Sequence, residues 1–232
     1  MNKHEGRLVV ICGMHSSGTS FLARALSKMG LFMGDVDRTP STTHSNGTYE
    51  NRRLYSGIDD FLTERGGSWS NIPNPMPEPN TTIRETIRCI VEELRDHGKP
   101  AGIKDPRLTM LVRPWRSLFP SDIKIAGIFR SPWAVARNFE VHKEFSFYCA
   151  LALWETYNIE LMRLADEHGA TLFNFDDDPD KLCRSVTEFG KSIGLTECDT
   201  SDWYVGDHSQ IPFALPEEVA ILHQDLMKRA EF

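Results

Sequence analysis

Between the apolar run Leu8-Val9-Val10-Ile11-Cys12 and the helix-spaced Phe21, Leu22, Ala25, Leu26 and Met29, the chain makes one turn, Gly13-Met14-His15-Ser16-Ser17-Gly18-Thr19-Ser20. A short β-branched run of this kind suits a strand buried on both faces. The spacing after the turn predicts an amphipathic helix that Gly30 stops. A chain that leaves a strand through a Gly- and Ser-containing turn and enters a helix carries the helix's first N–H groups at the end of the strand.

The remaining segments repeat the alternation. Leu54, Ile58, Phe61 and Leu62 share one face of a helix predicted from Glu50 to Leu62. Pro73, Pro75, Pro77 and Pro79 mark a long irregular loop from Gly66 to Asn80, of the kind that often serves as a lid. Thr82 with Glu85 reads as a capping box, opening a helix that carries Ile83, Ile87, Ile90, Val91 and Leu94 and ends at Gly98 and Pro100. Strands are predicted from Ala101 to Lys104, Ile123 to Phe129 and Thr171 to Phe175. Helical spacing resumes at Leu108, Leu111, Val112 and Trp115, and Ser131-Pro132 forms an N-cap and first-turn pair for a helix from Trp133. A long helix follows from about Ser146 to His168, then two more, Asp180 to Ile193 and Pro216 to Ala230. Strands alternating with helices imply an α/β fold with a mostly parallel central sheet flanked by helices. No internal repeat and no linker divides residues 1–232, which read as one domain.

Charge narrows the partners. Lys and Arg total 26 against 33 Asp and Glu, a net −7 with no basic stripe, which argues against a nucleic-acid track and leaves room only for a local anion pocket. Cys12, Cys89, Cys149, Cys183 and Cys198 are odd in number, scattered and without a C-x-x-C pair, so neither a disulfide framework nor a zinc site is expected. No apolar run approaches the roughly 18 residues of a membrane span, and Leu8 to Cys12 is too short for a signal-peptide core. A cytoplasmic protein that meets no membrane is expected; oligomeric state is open.

The turn itself matches the spacing of a nucleoside-triphosphate loop, with glycines five apart and two polar positions after them, except that Thr19 stands where the lysine belongs. Its N–H groups and the hydroxyls of Ser16, Ser17, Thr19 and Ser20 form an anion cradle that needs no bulk positive charge. Without the lysine, kinase chemistry on a small metabolite is the weaker reading. The plain alternative is a turn that only joins strand to helix.

Here a resemblance enters. The turn resembles the 5′-phosphosulfate loop of sulfotransferases that use 3′-phosphoadenosine 5′-phosphosulfate, above all the bacterial branch, whose version reads G-x-H-R-S-G-T-S. Ile128-Phe129-Arg130-Ser131-Pro132 and on to Asn138 resembles the family's 3′-phosphate motif, an Arg ending a strand and a Ser eight residues later. Ile103-Lys104-Asp105-Pro106-Arg107, Leu151 to Trp154 and Phe173 to Gly194 resemble further family segments, so the likeness covers most of Leu8 to Leu195. It departs at Ser16, where the family usually carries a Lys or Arg touching the bridging oxygen, and at Asn138, an amide in place of the hydroxyl.

The resemblance implies a P-loop nucleoside-triphosphate-hydrolase-like fold and transfer of a sulfuryl group from 3′-phosphoadenosine 5′-phosphosulfate to a hydroxyl or amine of a small-molecule or carbohydrate acceptor. The donor would lie on His15, Ser16, Ser17, Gly18, Thr19, Ser20, Arg130 and Asn138, with no metal. His15 and Lys104 are the cations placed to replace the residue missing at Ser16, and the loops 35–48 and 66–82 are expected to cover the acceptor site. Glu50 is the base candidate, a Glu in a similar place acting on the acceptor in sugar-modifying members; as a first-turn Glu it also suits the helix dipole. His142 and Asp105 are the other possible bases, His142 otherwise a solvated surface residue, Asp105 otherwise a turn initiator or partner of Arg107. A nucleotide-binding module that kept the cradle and lost catalysis is the non-enzymatic rival.

Overall fold

A computed structural model of the chain describes residues 7–41, 47–142, 145–196, 198 and 215–230. The first run is strand β1 (Leu8–Cys12), and each of its residues is buried. Leu8, Val10 and Cys12 face one apolar layer while Val9 and Ile11 face the other, the period-2 alternation of a strand covered on both sides. Burying each branched aliphatic side chain stabilises by about 1.5–3 kcal/mol.

β2 (Ala101–Lys104) and β3 (Lys124–Phe129) flank β1, and β4 (Thr171–Asn174) pairs with β3, giving the order β2-β1-β3-β4. The four strands among the described residues are all parallel, with Val10 opposite Ile103 on one side and Ile125 on the other, and Ile128 opposite Phe173. Cys12, Lys104, Phe129 and Asn174 therefore end on one edge. The chain moves from β1 outward to β2 and then crosses to β3, and this reversal is where open α/β sheets place ligands.

Helices α1 (Thr19–Lys28) and α7 (Pro179–Ser192) cover one face. The other carries α2 (Arg52–Thr63), α3 (Thr81–Asp96), α4 (Leu108–Leu111), α5 (Pro132–His142), α6 (Phe147–His168) and α8 (Glu217–Arg229). None of the helices among the described residues is long and apolar enough to cross a membrane.

Three local expectations are corrected. Asn51 caps α2 through a bond from Leu54 N–H to its Oδ1 (3.1 Å), so Glu50 lies before the cap and outside the first turn. Asn80 caps α3, accepting from Ile83 N–H at 2.9 Å, which puts Thr82 inside the helix and leaves Glu85 to pair with Arg88. Asn is among the strongest N-caps, and it precedes Thr82 in the chain. The helical spacing from Leu108 to Trp115 gives only the single turn α4 and a 3₁₀ turn at Arg116–Leu118, because Pro114 removes a donor and its ring opposes helical continuation.

Candidate functional site

The turn after β1 is shaped by backbone conformations that side chains tolerate poorly. Gly13 has φ +144°, and a Cβ there would stand 2.2 Å from the Ile128 carbonyl oxygen of β3. Gly18 has φ +94°, and a Cβ there would meet the Phe175 ring at 2.5 Å. Between them Ser16 adopts φ +65° as a non-glycine residue. The bend is tied down from outside by the Gly13 N–H, which donates to Thr109 Oγ1 at 2.7 Å.

Gly18 caps α1 with no side-chain hydrogen bond, so no side chain satisfies the first N–H groups of that helix at its cap. Ser17 is fully buried, and its Oγ has no hydrogen-bond partner. An orphaned hydroxyl beside an uncapped helix start fits an anion-binding loop: a phosphate oxygen would satisfy both. The donor set therefore suits a phosphorylated ligand, and Thr19 follows as the buried first residue of α1.

Three candidates far apart in sequence meet at the mouth of this turn. Lys104, at the end of β2, donates from Nζ to Glu50 Oε1 (2.8 Å), the Thr48 carbonyl (3.0 Å) and Ser20 Oγ (3.3 Å). Ser20 Oγ also donates to the Thr48 carbonyl at 3.0 Å. The lysine side chain is 2% exposed and the glutamate 14%. Three acceptors match the three N–H bonds of an ammonium, so any further oxygen that Lys104 meets must displace one of them.

Ser16 Oγ donates to Asn138 Oδ1 at 2.9 Å, joining the turn to α5. Ser16 and Asn138, the two positions where the sequence departs from the motifs it resembles, are thus bonded to each other. His15 packs its ring against Trp69 (centroids 4.6 Å apart) and, more distantly, Tyr157 (6.3 Å). Tyr157 and Trp154 lie in the core as their spacing predicts, and burial pushes the Tyr157 phenol up, keeping it a donor to the Trp69 carbonyl at 2.7 Å. That bond and one from Trp115 Nε1 to the Pro77 carbonyl (3.1 Å) anchor the Gly66–Asn80 loop on the core.

The other base candidates are held differently. Asp105 is buried and accepts from the Arg107 backbone N–H (2.9 Å), Nε (2.9 Å) and Nη2 (2.6 Å). Burial alone would lower the pKa of Arg107, but the bonds and charge of Asp105 more than reverse it, and the guanidinium pKa is raised. Arg107 also stacks over Tyr55, 4.5 Å from its ring centroid. His142 is exposed at the last position of α5. Arg130 leaves the end of β3 and donates from Nε to Asp176 Oδ1 at 3.2 Å.

Sequence reasoning passed over Thr109, Asn51 and Asp176. Thr109 lay within an apolar helical pattern and gave no signal. Asp176 did give one, a carboxylate directly after the fourth apolar strand, where ligand-facing residues of α/β sheets gather. Residues 42–46 of the loop 35–48 and residues 1–6 lie outside the described residues.

Comparison with known proteins places the fold. The chain superimposes on a sulfotransferase domain from the Synechococcus PCC 7002 olefin synthase with a TM-score of 0.59 and 14% identity, over 98% of this chain and 97% of that one. A sulfotransferase domain from the curacin biosynthetic pathway gives 0.58 and 13%, over 95% and 97%. Neither a family model nor a curated protein sequence matches the chain. At these identities the likeness is one of fold: an all-parallel sheet flanked by helices, shared with sulfotransferase domains along nearly their whole length.

Proposed function

We propose that this chain is a sulfotransferase that takes the sulfuryl group of 3′-phosphoadenosine 5′-phosphosulfate to a hydroxyl or amine of a small-molecule or carbohydrate acceptor. The observation that carries the reading is the meeting of Ser20, Lys104 and Glu50 at the mouth of the Gly13–Ser20 turn. The two solved domains that share the fold add support, since both are sulfotransferase domains. The reading takes residues 1–232 as one cytoplasmic domain, with the loops 35–48 and 66–82 over the acceptor.

The donor supplies the sulfuryl group, and the chain supplies charge and a base. The N–H groups at the start of α1, with Ser17 and Thr19, hold the 5′-phosphate side; Arg130 holds the 3′-phosphate. Glu50 takes the proton from the acceptor as the acceptor oxygen or nitrogen bonds to sulfur. The sulfur–oxygen bond to the 5′-phosphate breaks, and its electron pair stays on that oxygen, which leaves with 3′,5′-adenosine bisphosphate. Lys104 stands beside both events. A proton on Glu50 cancels the charge that neutralises Lys104, so the ammonium turns toward the leaving oxygen as negative charge grows there. This gives Lys104 the work of the cation missing at Ser16.

The test is transfer of labelled sulfate from the donor to a mixed panel of alcohols, sugars and amines, by the wild type and by Glu50→Gln. Transfer by the wild type that the variant loses is expected. Saturable binding of the bisphosphate without transfer to any acceptor would favour a binding module, and Mg²⁺-dependent ATP turnover a kinase.

A further inference from the structure

β3 and β4 end side by side, and just past their ends Asp176 bridges to the start of α5. Its Oδ1 accepts from Arg130 Nε at 3.2 Å, and its Oδ2 accepts from the Ser131 backbone N–H at 2.5 Å. The carboxylate is itself held, since the Asp176 N–H donates to Asn174 Oδ1 at 3.0 Å. Both side chains are largely covered, Arg130 at 14% exposure and Asp176 at 20%.

Arg130 is fixed elsewhere as well. Its carbonyl accepts from Trp154 Nε1 at 2.9 Å, and its guanidinium carbon lies 5.4 Å from the centroid of the Phe175 ring. These contacts set where the arginine sits, while a bond on Nε sets how its flat fork is turned. A phosphate takes two N–H bonds of an arginine fork side by side. Asp176 takes the N–H of Nε, and so sets the plane in which the fork lies.

Resting on the donor reading above, we propose that Asp176 is a positioning residue for the 3′-phosphate: clamped to the start of α5 through the Ser131 N–H, it holds the Arg130 guanidinium in the arrangement that meets that group. Its charge opposes a phosphate, and its orientation of a five-donor fork favours one. The two-oxygen bridge favours orientation as the larger effect, because it fixes the guanidinium against the start of α5 before the ligand arrives.

The experiment is calorimetric titration of the full chain with adenosine 3′,5′-bisphosphate and with adenosine 5′-monophosphate, for the wild type, Asp176→Ala, Asp176→Asn, Arg130→Ala and the Arg130→Ala/Asp176→Ala pair. Arg130→Ala is expected to weaken the bisphosphate by about 10- to 150-fold, the worth of a charged hydrogen bond. Asp176→Ala is expected to weaken it on the order of 10-fold and to change the monophosphate by less than about twofold. Asp176→Asn keeps part of the affinity through its amide oxygen, and the double variant binds no worse than Arg130→Ala alone. Bisphosphate binding that is unchanged or tighter in the Asp176 variants overturns the proposal and makes the carboxylate a competitor. Equal losses for both nucleotides also overturn it, leaving a structural role. If Asp176→Ala does not fold, Asp176→Asn carries the same comparison. A wild type that does not prefer the bisphosphate, or an Arg130→Ala variant that binds it unchanged, removes the donor reading itself and the proposal with it.

Discussion

Lys104 Nζ and Glu50 Oε1 lie 2.8 Å apart, the lysine from the end of a buried strand and the glutamate from the residue before a helix cap. The pair exists because Asn51, not Glu50, caps α2. Had Glu50 been the first residue of the helix, its carboxylate would have answered the helix dipole instead.

Replacing Lys104 by Met keeps the apolar stem and removes the charge. Turnover is expected to fall about 100- to 1000-fold, the usual loss on removing one preorganised donor from a site of developing negative charge. Bisphosphate affinity should change far less. Removing one partner of a covered ion pair strands the other, so Lys104→Met is expected to melt lower than Lys104→Met/Glu50→Gln. Steady-state rates and melting curves check both; a single variant as stable as the double shows that the pair matters little to the fold.

Ser17 gives two effects of opposite sign. A buried hydroxyl without a partner costs about 1–3 kcal/mol, so Ser17→Ala is expected to raise the melting temperature of the ligand-free chain. The same change removes a donor to the anion, so bisphosphate should bind more weakly. A melting temperature that falls, or an affinity that does not, goes against Ser17 as a phosphate donor held at a cost in stability.

Much of this was legible in the sequence, and the misses share a cause. Hydrophobic periodicity located the four strands and most helices because burial on a fixed period is a local property. The turn was legible because its chemistry is contiguous. What periodicity does not carry is which polar side chain turns toward which: Thr109 on Gly13, Asn138 on Ser16 and Asp176 on Arg130 are bonds between segments 96, 122 and 46 residues apart. Caps slipped by a residue or two for a related reason. Asn80 competes with Thr81 and Thr82, residues of similar capping propensity, whereas at Asn51 the apolar spacing fixed the helix only to within a residue.

Gly18 tests the turn as geometry. Its φ of +94° disfavours any side chain, and the ring that a Cβ would strike is confined, with Phe21 5.5 Å from Phe175 and the Arg130 guanidinium 5.4 Å from it. Phe175 therefore has little freedom to withdraw. Gly18→Ala is expected to destabilise by roughly 1–3 kcal/mol and to weaken bisphosphate binding, whereas Gly30→Ala, with φ +105° but open space, strains the backbone alone. Equal melting temperatures for the two variants would show that the Phe175 contact relaxes freely.

His223 links stability to pH. Burial lowers its pKa from the ordinary 6.5, and the nearby Asp176 charge opposes this in part. The ring stands edge-on to Phe129 and Trp154, at centroid distances of 6.2 and 6.0 Å. Below the ordinary value the unfolded chain binds a proton that the folded histidine refuses, so protons favour unfolding. The contribution is fully present above pH 6.5 and is lost as pH falls from there toward the depressed folded value. Carboxylates also titrate on the acid side, so the comparison that isolates the group is the difference in melting temperature between the wild type and His223→Phe, followed from about pH 8 to about pH 5. That difference should be flat above pH 6.5 and move against the wild type below it. Asp176→Asn removes the charge that props up the His223 pKa, so in that background the difference should widen. A difference independent of pH would mean that His223 takes up its proton as readily in the folded chain as in the unfolded one.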